Sequence, residues 1–176
     1  MSKLYYRDYQ SPVGLLTIYS DGENVIRLER NRSGIPENAR AIVRKPEITE
    51  IAKWLDRYFA GKKPATDNLP IDLVGSQFRL TVMNVLSMVP YGKTTTYGEI
   101  AEAVARIFAK ERMSAQAVGG ALGWNPLPII IPCHRVVGKD RNLTGYSCGI
   151  DMKIWLLKHE GIDINSFTLP KEIKKD

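Results

Sequence analysis

The stretch NPLPIIIPCHRVVG, residues 125–138, decides how this chain is read. It sets a cysteine and a histidine side by side after three isoleucines. Neighbouring side chains diverge by about 100° on a helix and point to opposite faces of a strand. Cys133 and His134 therefore cannot face each other on regular backbone. The run IIIP reads as a buried strand ending at Pro132, which sets Cys133 where a buried element meets a turn. On its own, a cysteine after three isoleucines is a small buried apolar group. Its surroundings point to chemistry instead. In KHEG, Glu160 stands near the end of a C-terminal helix. If that helix packs back on the strand, Glu160 orients His134, and His134 takes the thiol proton through a water. Nucleophile, base and an acid that orients the base form the general pattern of an activated nucleophile. A thiolate beside an imidazolium is expected to have a lowered pKa.

Outward from this motif, local signals divide the chain in two. LYYRDYQSPVGLLTIYSDGENVIRLER alternates apolar and polar residues between SPVG and SDGEN, which predicts three short strands. Residues 31–46 read as a loop. PEITEIAKWLDRYFAG carries Ile48, Ile51, Leu55 and Phe59 at helical spacing, with Gly61 as its stop. KKPATDNLPIDLVG is a connector. Beyond it, Ser76 is the expected N-cap of a helix bearing Phe78, Val82, Val85 and Leu86. Thr96 and Glu99 predict a capping box and a helix start at Tyr97. Ser114 caps AQAVGGALGW, a second short helix, so the pair suggests a helix-turn-helix with a longer connection than the usual tight turn. Gly119 and Gly120 each cost that helix about 1 kcal/mol, which calls for close approach there, with packing as the expected reason. IDMKIWLLKHEG is a last helix with Ile150, Ile154 and Leu157 on one face. His159 suits a helix end; Trp54, Trp124 and Trp155 read as packing residues, and KEIKKD as a disordered, solvated tail.

The 176 residues allow one medium domain or two small ones. No apolar run reaches the ~20 residues of a membrane span, and MSKLYYRDYQ lacks a signal-peptide core. A cytoplasmic protein is expected. Two cysteines and two histidines without metal-ligand spacing argue against a structural zinc site or a disulfide framework. The net charge is +6. Residues 1–74 hold 12 Lys/Arg against 10 Asp/Glu, and residues 75–146 hold 8 against 4. The excess lies in the half that holds the cysteine, which favours a polyanionic partner, although a solvated basic face also accounts for it.

IPCHRVVG resembles the active-site motif of the O6-alkylguanine-DNA alkyltransferases. VPYGKTTTYGEIA, AVGGAL, LTGYSCGI and WLLKHEG follow the same family's order, so the likeness covers residues 75–161 closely. It implies an α+β fold: a small ribonuclease-H-like α/β domain over 1–74 and a mostly helical domain with a helix-turn-helix over 75–176. It implies stoichiometric, irreversible transfer of an alkyl group from O6-alkylguanine to Cys133 after base flipping, with O4-alkylthymine as a second candidate substrate. His134 would be the base, Glu160 its polarising partner, Asn125 the brace of the turn and Tyr97 the donor to the base. Tyr146, Ser147, Cys148, Val136 and Pro128 would form the pocket. Ser114, Gln116, Ala117, Gly119 and Arg135 would meet DNA, with Arg135 either structural or a phosphate contact. The expected partner is double-stranded alkylated DNA, bound by a monomer, with no metal or organic cofactor. Two positions depart from the family: Gln116 replaces its usual arginine, and Cys148 its usual glycine. Two other readings remain open. A lesion sensor of the same fold would lack the cysteine, and a cysteine hydrolase would need an oxyanion-hole motif that is not evident.

Overall fold

A computed structural model describes residues 3–42 and 44–170. The tail KEIKKD lies outside the described residues. The chain divides into two compact units, Met1–Val74 and Gly75–Asp176.

In the first unit the expected hairpins form. β1 (Leu4–Ser11), β2 (Gly14–Ser20) and β3 (Val25–Arg30) pair antiparallel, with Tyr9 opposite Leu16 and Ile18 opposite Leu28. The segment read as a loop contains one more strand, β4 (Ala39–Ala41), parallel to β1, giving the order β3-β2-β1-β4. Three residues, ARA, are too few to show a period of two, and only pairing with β1 defines them. α1 (Pro46–Phe59) buries Ile48, Ile51 and Leu55, as do Leu16 and Ile18 of β2. Trp54 stacks on Tyr58 and donates to the Ala65 carbonyl, so it is a packing residue. The connector is not loose: Val25 donates to Pro70 and Asp72 donates back to Val25, extending the pairing of β3.

The second unit opens with three short helices. α2 (Gln77–Ser87) starts at Ser76, whose hydroxyl accepts from the Arg79 amide. Two-residue β5 (Thr95–Thr96) leads into α3 (Tyr97–Ile107). The capping box is present: Thr96 Oγ1 accepts from Glu99 N at 3.1 Å, and Thr96 N donates to Glu99 Oε2 at 2.8 Å. α4 (Ala115–Trp124) follows after residues 108–114, a connection in which Ala109 takes φ 52°. Val82, Leu86, Ile100, Val104, Val118 and Ala121 make the shared core. Trp124 lies against Gly75 and beneath Arg79, which confirms it as packing.

The expected strand at IIIP does not form. Residues Leu127–Ile131 are buried, but they fold as a turn closed by Ile131 N to Leu127 O at 2.9 Å, with a single bridge from Pro128 to Ile131. Pro126 and Pro128 cannot donate to a ladder. Ile129 sits at φ 74°, a strained conformation for a β-branched residue. A 3-10 turn over Cys133–Arg135 then enters β6 (Val136–Val137), parallel to β5. α5 (Ile150–His159) packs Ile150, Ile154 and Leu157 with Val137 and Leu143, and Gly161 ends it at φ 83°. Trp155 stacks on His159 at 4.8 Å.

The capping box fixes the start of α3, so Thr96→Ala should lower stability to urea by about 1 kcal/mol, measured as a shift in midpoint at unchanged slope.

Candidate active site

The 3-10 turn answers the geometric question raised by adjacent Cys133 and His134: the two side chains leave the turn in different directions. Cys133 opens on a cleft of about 940 Å³, also lined by Tyr97, Gln116, Gly119, Leu122, Tyr146 and Ser147. His134 is not on the cleft wall and is fully buried.

Asn125, the residue that ends α4, holds the cysteine. Its Nδ2 donates to Ile131 O at 2.9 Å and to Cys133 Sγ at 3.1 Å, while its Oδ1 accepts from Leu127 N at 2.9 Å. One side chain thus replaces the strand pairing that the two prolines deny this segment. Behind the cysteine, His134 Nε2 lies 2.7 Å from Glu160 Oε1. No group among the described residues hydrogen-bonds to His134 Nδ1.

Glu160 caps the C-terminus of α5 and is buried. Besides His134 it accepts from Arg135 Nε at 2.8 Å, Arg135 Nη2 at 2.9 Å and the Gly92 amide at 3.1 Å. Gly92 is required here: φ is 75°, and an added Cβ would lie 3.1 Å from the Glu160 carbonyl oxygen.

Burial dominates the electrostatics of the cysteine. It pushes the Cys133 thiol up to about 11, against the pull of the Asn125 hydrogen bond, the nearby Tyr146 hydroxyl and the Lys153 charge. Burial also lowers His134; Glu160 opposes this, and Arg135 and Lys153 reinforce it. The expectation of a lowered thiol pKa beside an imidazolium is therefore overturned. At rest the pair is a thiol and a neutral imidazole, because desolvation outweighs the local donors. Burial would raise Glu160 as well, but the hydrogen bonds and charges of His134 and Arg135 hold it far below the usual carboxylate range.

Several expected contacts differ. Arg135 is largely buried: besides its bonds to Glu160, Nη1 donates to Val89 O at 2.7 Å, so it is an internal brace. Val136 and Pro128 are buried and absent from the cleft wall. Val136 pairs with Thr95 and its carbonyl accepts from Lys153; Pro128 belongs to the buried turn. Cys148 also lies off the wall, one residue beyond Ser147, half-buried and close enough to raise the Cys133 thiol. Ser114 caps α4 by accepting from the amides of Gln116 and Ala117. Packing does not explain the helix glycines. A Cβ on Gly119 would sit 3.9 Å from the Tyr97 ring, an ordinary contact, and one on Gly120 would meet nothing within 4 Å. The Tyr97 hydroxyl donates to the carbonyls of Thr144 and Gly145, both at 3.2 Å, in the loop that rims the cleft.

Lys153 was missed in the sequence. It is fully buried and donates to Val136 O at 2.6 Å and Thr144 O at 3.1 Å, tying the cysteine turn to the rim loop. Burial lowers its pKa to about 8. The signal was its spacing: residue 153 falls three after Ile150 and four before Leu157, on the apolar stripe.

Residues 4–73 match the model of the "6-O-methylguanine DNA methyltransferase, ribonuclease-like domain", and residues 77–162 that of the "6-O-methylguanine DNA methyltransferase, DNA binding domain". The chain belongs to this family. It is 37% identical to a methylated-DNA–protein-cysteine methyltransferase of Haemophilus influenzae, over 92% of this chain and 89% of that one. It is 41% identical to a protein of the same name from Mycolicibacterium paratuberculosis, over 88% and 91%. Among solved structures, Mycobacterium tuberculosis OGT in complex with DNA aligns with a TM-score of 0.77 at 34% identity, covering 96% of this chain and 97% of that one. The M. tuberculosis O6-methylguanine methyltransferase aligns at 0.74 and 34%, covering 89% and 92%. These likenesses bear out the family and the α+β fold expected from the sequence.

In a Cys148→Ser background, which also removes the Cys148 contribution, thiolate absorbance should place the Cys133 midpoint below the parent's value of about 11 but well above the ordinary ~8.5. Asn125→Ala removes a donor that favours the thiolate, so the midpoint should move higher still. A midpoint near the ordinary ~8.5 would contradict the burial argument.

Proposed function

We propose that this chain is a single-use DNA repair protein that moves an alkyl group from O6 of guanine in DNA to Cys133 Sγ. The observation that carries this reading is that the cleft holding Cys133 is walled by Gln116, Gly119, Leu122 and Gly123 of α4, within the segment that matches a DNA-binding domain. A helix of this kind enters a DNA groove, and its glycine-rich outer face lets nucleic acid approach the helix backbone closely. The damaged base reaches the cysteine only by leaving the stack, at a cost of a few kcal/mol, offset by phosphate and groove contacts.

Sγ attacks the alkyl carbon opposite O6. The S–C bond forms as the C–O6 bond breaks, and the electron pair leaves with the guanine. The thiol proton passes to His134 Nδ1 through a water, while Nε2–H stays on Glu160. Tyr97, turned from the Thr144 and Gly145 carbonyls, donates to a ring nitrogen and stabilises the developing anion. Tyr146 flanks the base and Ser147 meets the O6 side. The thioether product is a poor leaving group, so each molecule reacts once. These steps call for no metal or organic cofactor. O4-alkylthymine offers the same leaving-group chemistry and is the second substrate. The protein acts on double-stranded DNA as a monomer in the cytoplasm.

Incubation with a duplex containing O6-methylguanine, followed by mass spectrometry, should give one methyl adduct per molecule, on Cys133. Cys133→Ala should bind the duplex and carry none. Binding without an adduct in the parent protein would indicate a lesion sensor, and repeated turnover without an adduct a hydrolase.

Gln116 offers the orphaned partner base hydrogen bonds but no charge. Gln116→Arg should tighten duplex binding and steepen the dependence of log K on log salt by about 0.9. Unchanged affinity and slope would remove Gln116 from the interface.

A further inference from the structure

Arg135 has no place on the cleft wall, yet it is bound to the group that orients His134. Two of its nitrogens hold Glu160 as a fork, Nε on Oε2 and Nη2 on Oε1, and Nη1 anchors the guanidinium to Val89 O. Tyr91 lies against its other side, 5.7 Å from ring centre to guanidinium carbon. A fork of this kind fixes a carboxylate in plane and in position. Glu160 Oε1 then has one direction left for His134 Nε2, and Gly92 N occupies Oε2.

The fork also fixes charge. An uncompensated carboxylate beside a buried imidazole favours imidazolium. Paired with a guanidinium, the carboxylate still accepts the Nε2 hydrogen bond but no longer draws a second proton onto the ring. The charged groups facing His134 are Glu160, Arg135 and Lys153; Tyr91 faces Glu160 and Arg135.

We propose that Arg135 is a positioning residue for the transfer reaction, acting through Glu160 to hold His134 as the neutral Nε2–H tautomer with Nδ1 open to the Cys133 proton. The link to reaction rate rests on the alkyl-transfer reading, whereas the tautomer itself does not. The test uses the full chain with Arg135→Gln and Arg135→Lys, with two readouts. One is the pH profile of single-turnover methyl transfer from an O6-methylguanine duplex; the other is the 15N titration of the His134 ring.

Removing the cation raises the proton affinity of His134. In Arg135→Gln the ring midpoint and the acid limb of the rate profile should therefore both move to higher pH, by about 1 unit or more. Arg135→Lys keeps the charge and loses the fork. It should restore most of the midpoint while transferring more slowly than the parent and showing a mixed ring tautomer. If Arg135→Gln fails to fold, Arg135→Lys decides. Parent tautomer, midpoint and rate in a folded Arg135→Lys, or an unshifted midpoint in a folded Arg135→Gln, overturn the proposal. Absence of any adduct in the parent protein at every pH would sink alkyl transfer instead, and the ring titration would still decide the role of Arg135.

Discussion

The catalytic half of this protein depends on one buried carboxylate. Glu160 sits at the C-terminus of α5, where the helix dipole disfavours negative charge, and out of water, where an unpaired charge is costly. It is tolerated because both oxygens are filled, by His134, by both arms of the Arg135 fork and by the Gly92 amide. Those donors come from the cysteine turn and from the segment between α2 and α3. A single charge therefore joins three pieces of chain and sets the position of the imidazole.

The nucleophile follows a different logic from cysteines activated by a permanent ion pair. Cys133 rests as a thiol because burial outweighs the donors around it. Asn125 holds its sulfur, and Lys153 ties its turn to the loop that rims the cleft. A resting thiol is protected from stray electrophiles, which suits a group that can be used only once. The cost is that reactivity waits for a base placed at the right moment, and His134 is kept neutral for that purpose.

Much of this was legible in the sequence where the signals were local. The capping box at Thr96 and Glu99, the caps at Ser76 and Ser114, and the stop at Gly161 all fixed helix ends through contacts a few residues apart. The pairing of His134 with Glu160 was expected from the motif and is present across 26 positions. What failed depended on tertiary context. IIIP has the composition of a strand, but Pro126, Pro128 and the Asn125 side chain make it a turn. Lys153 looks like a surface charge until its partners are placed, and proves to be a buried brace; of the two readings open for Arg135, structural or phosphate contact, the partners favour the first. β4 exists only because β1 offers it an edge.

The resting pair is neutral, a thiol beside an imidazole. The most direct test is the 15N spectrum of the His134 ring in the unmodified protein at neutral pH. The ring should be neutral and protonated at Nε2, with an unprotonated Nδ1. A ring protonated at both nitrogens, accompanied by the absorbance of a Cys133 thiolate, would contradict it.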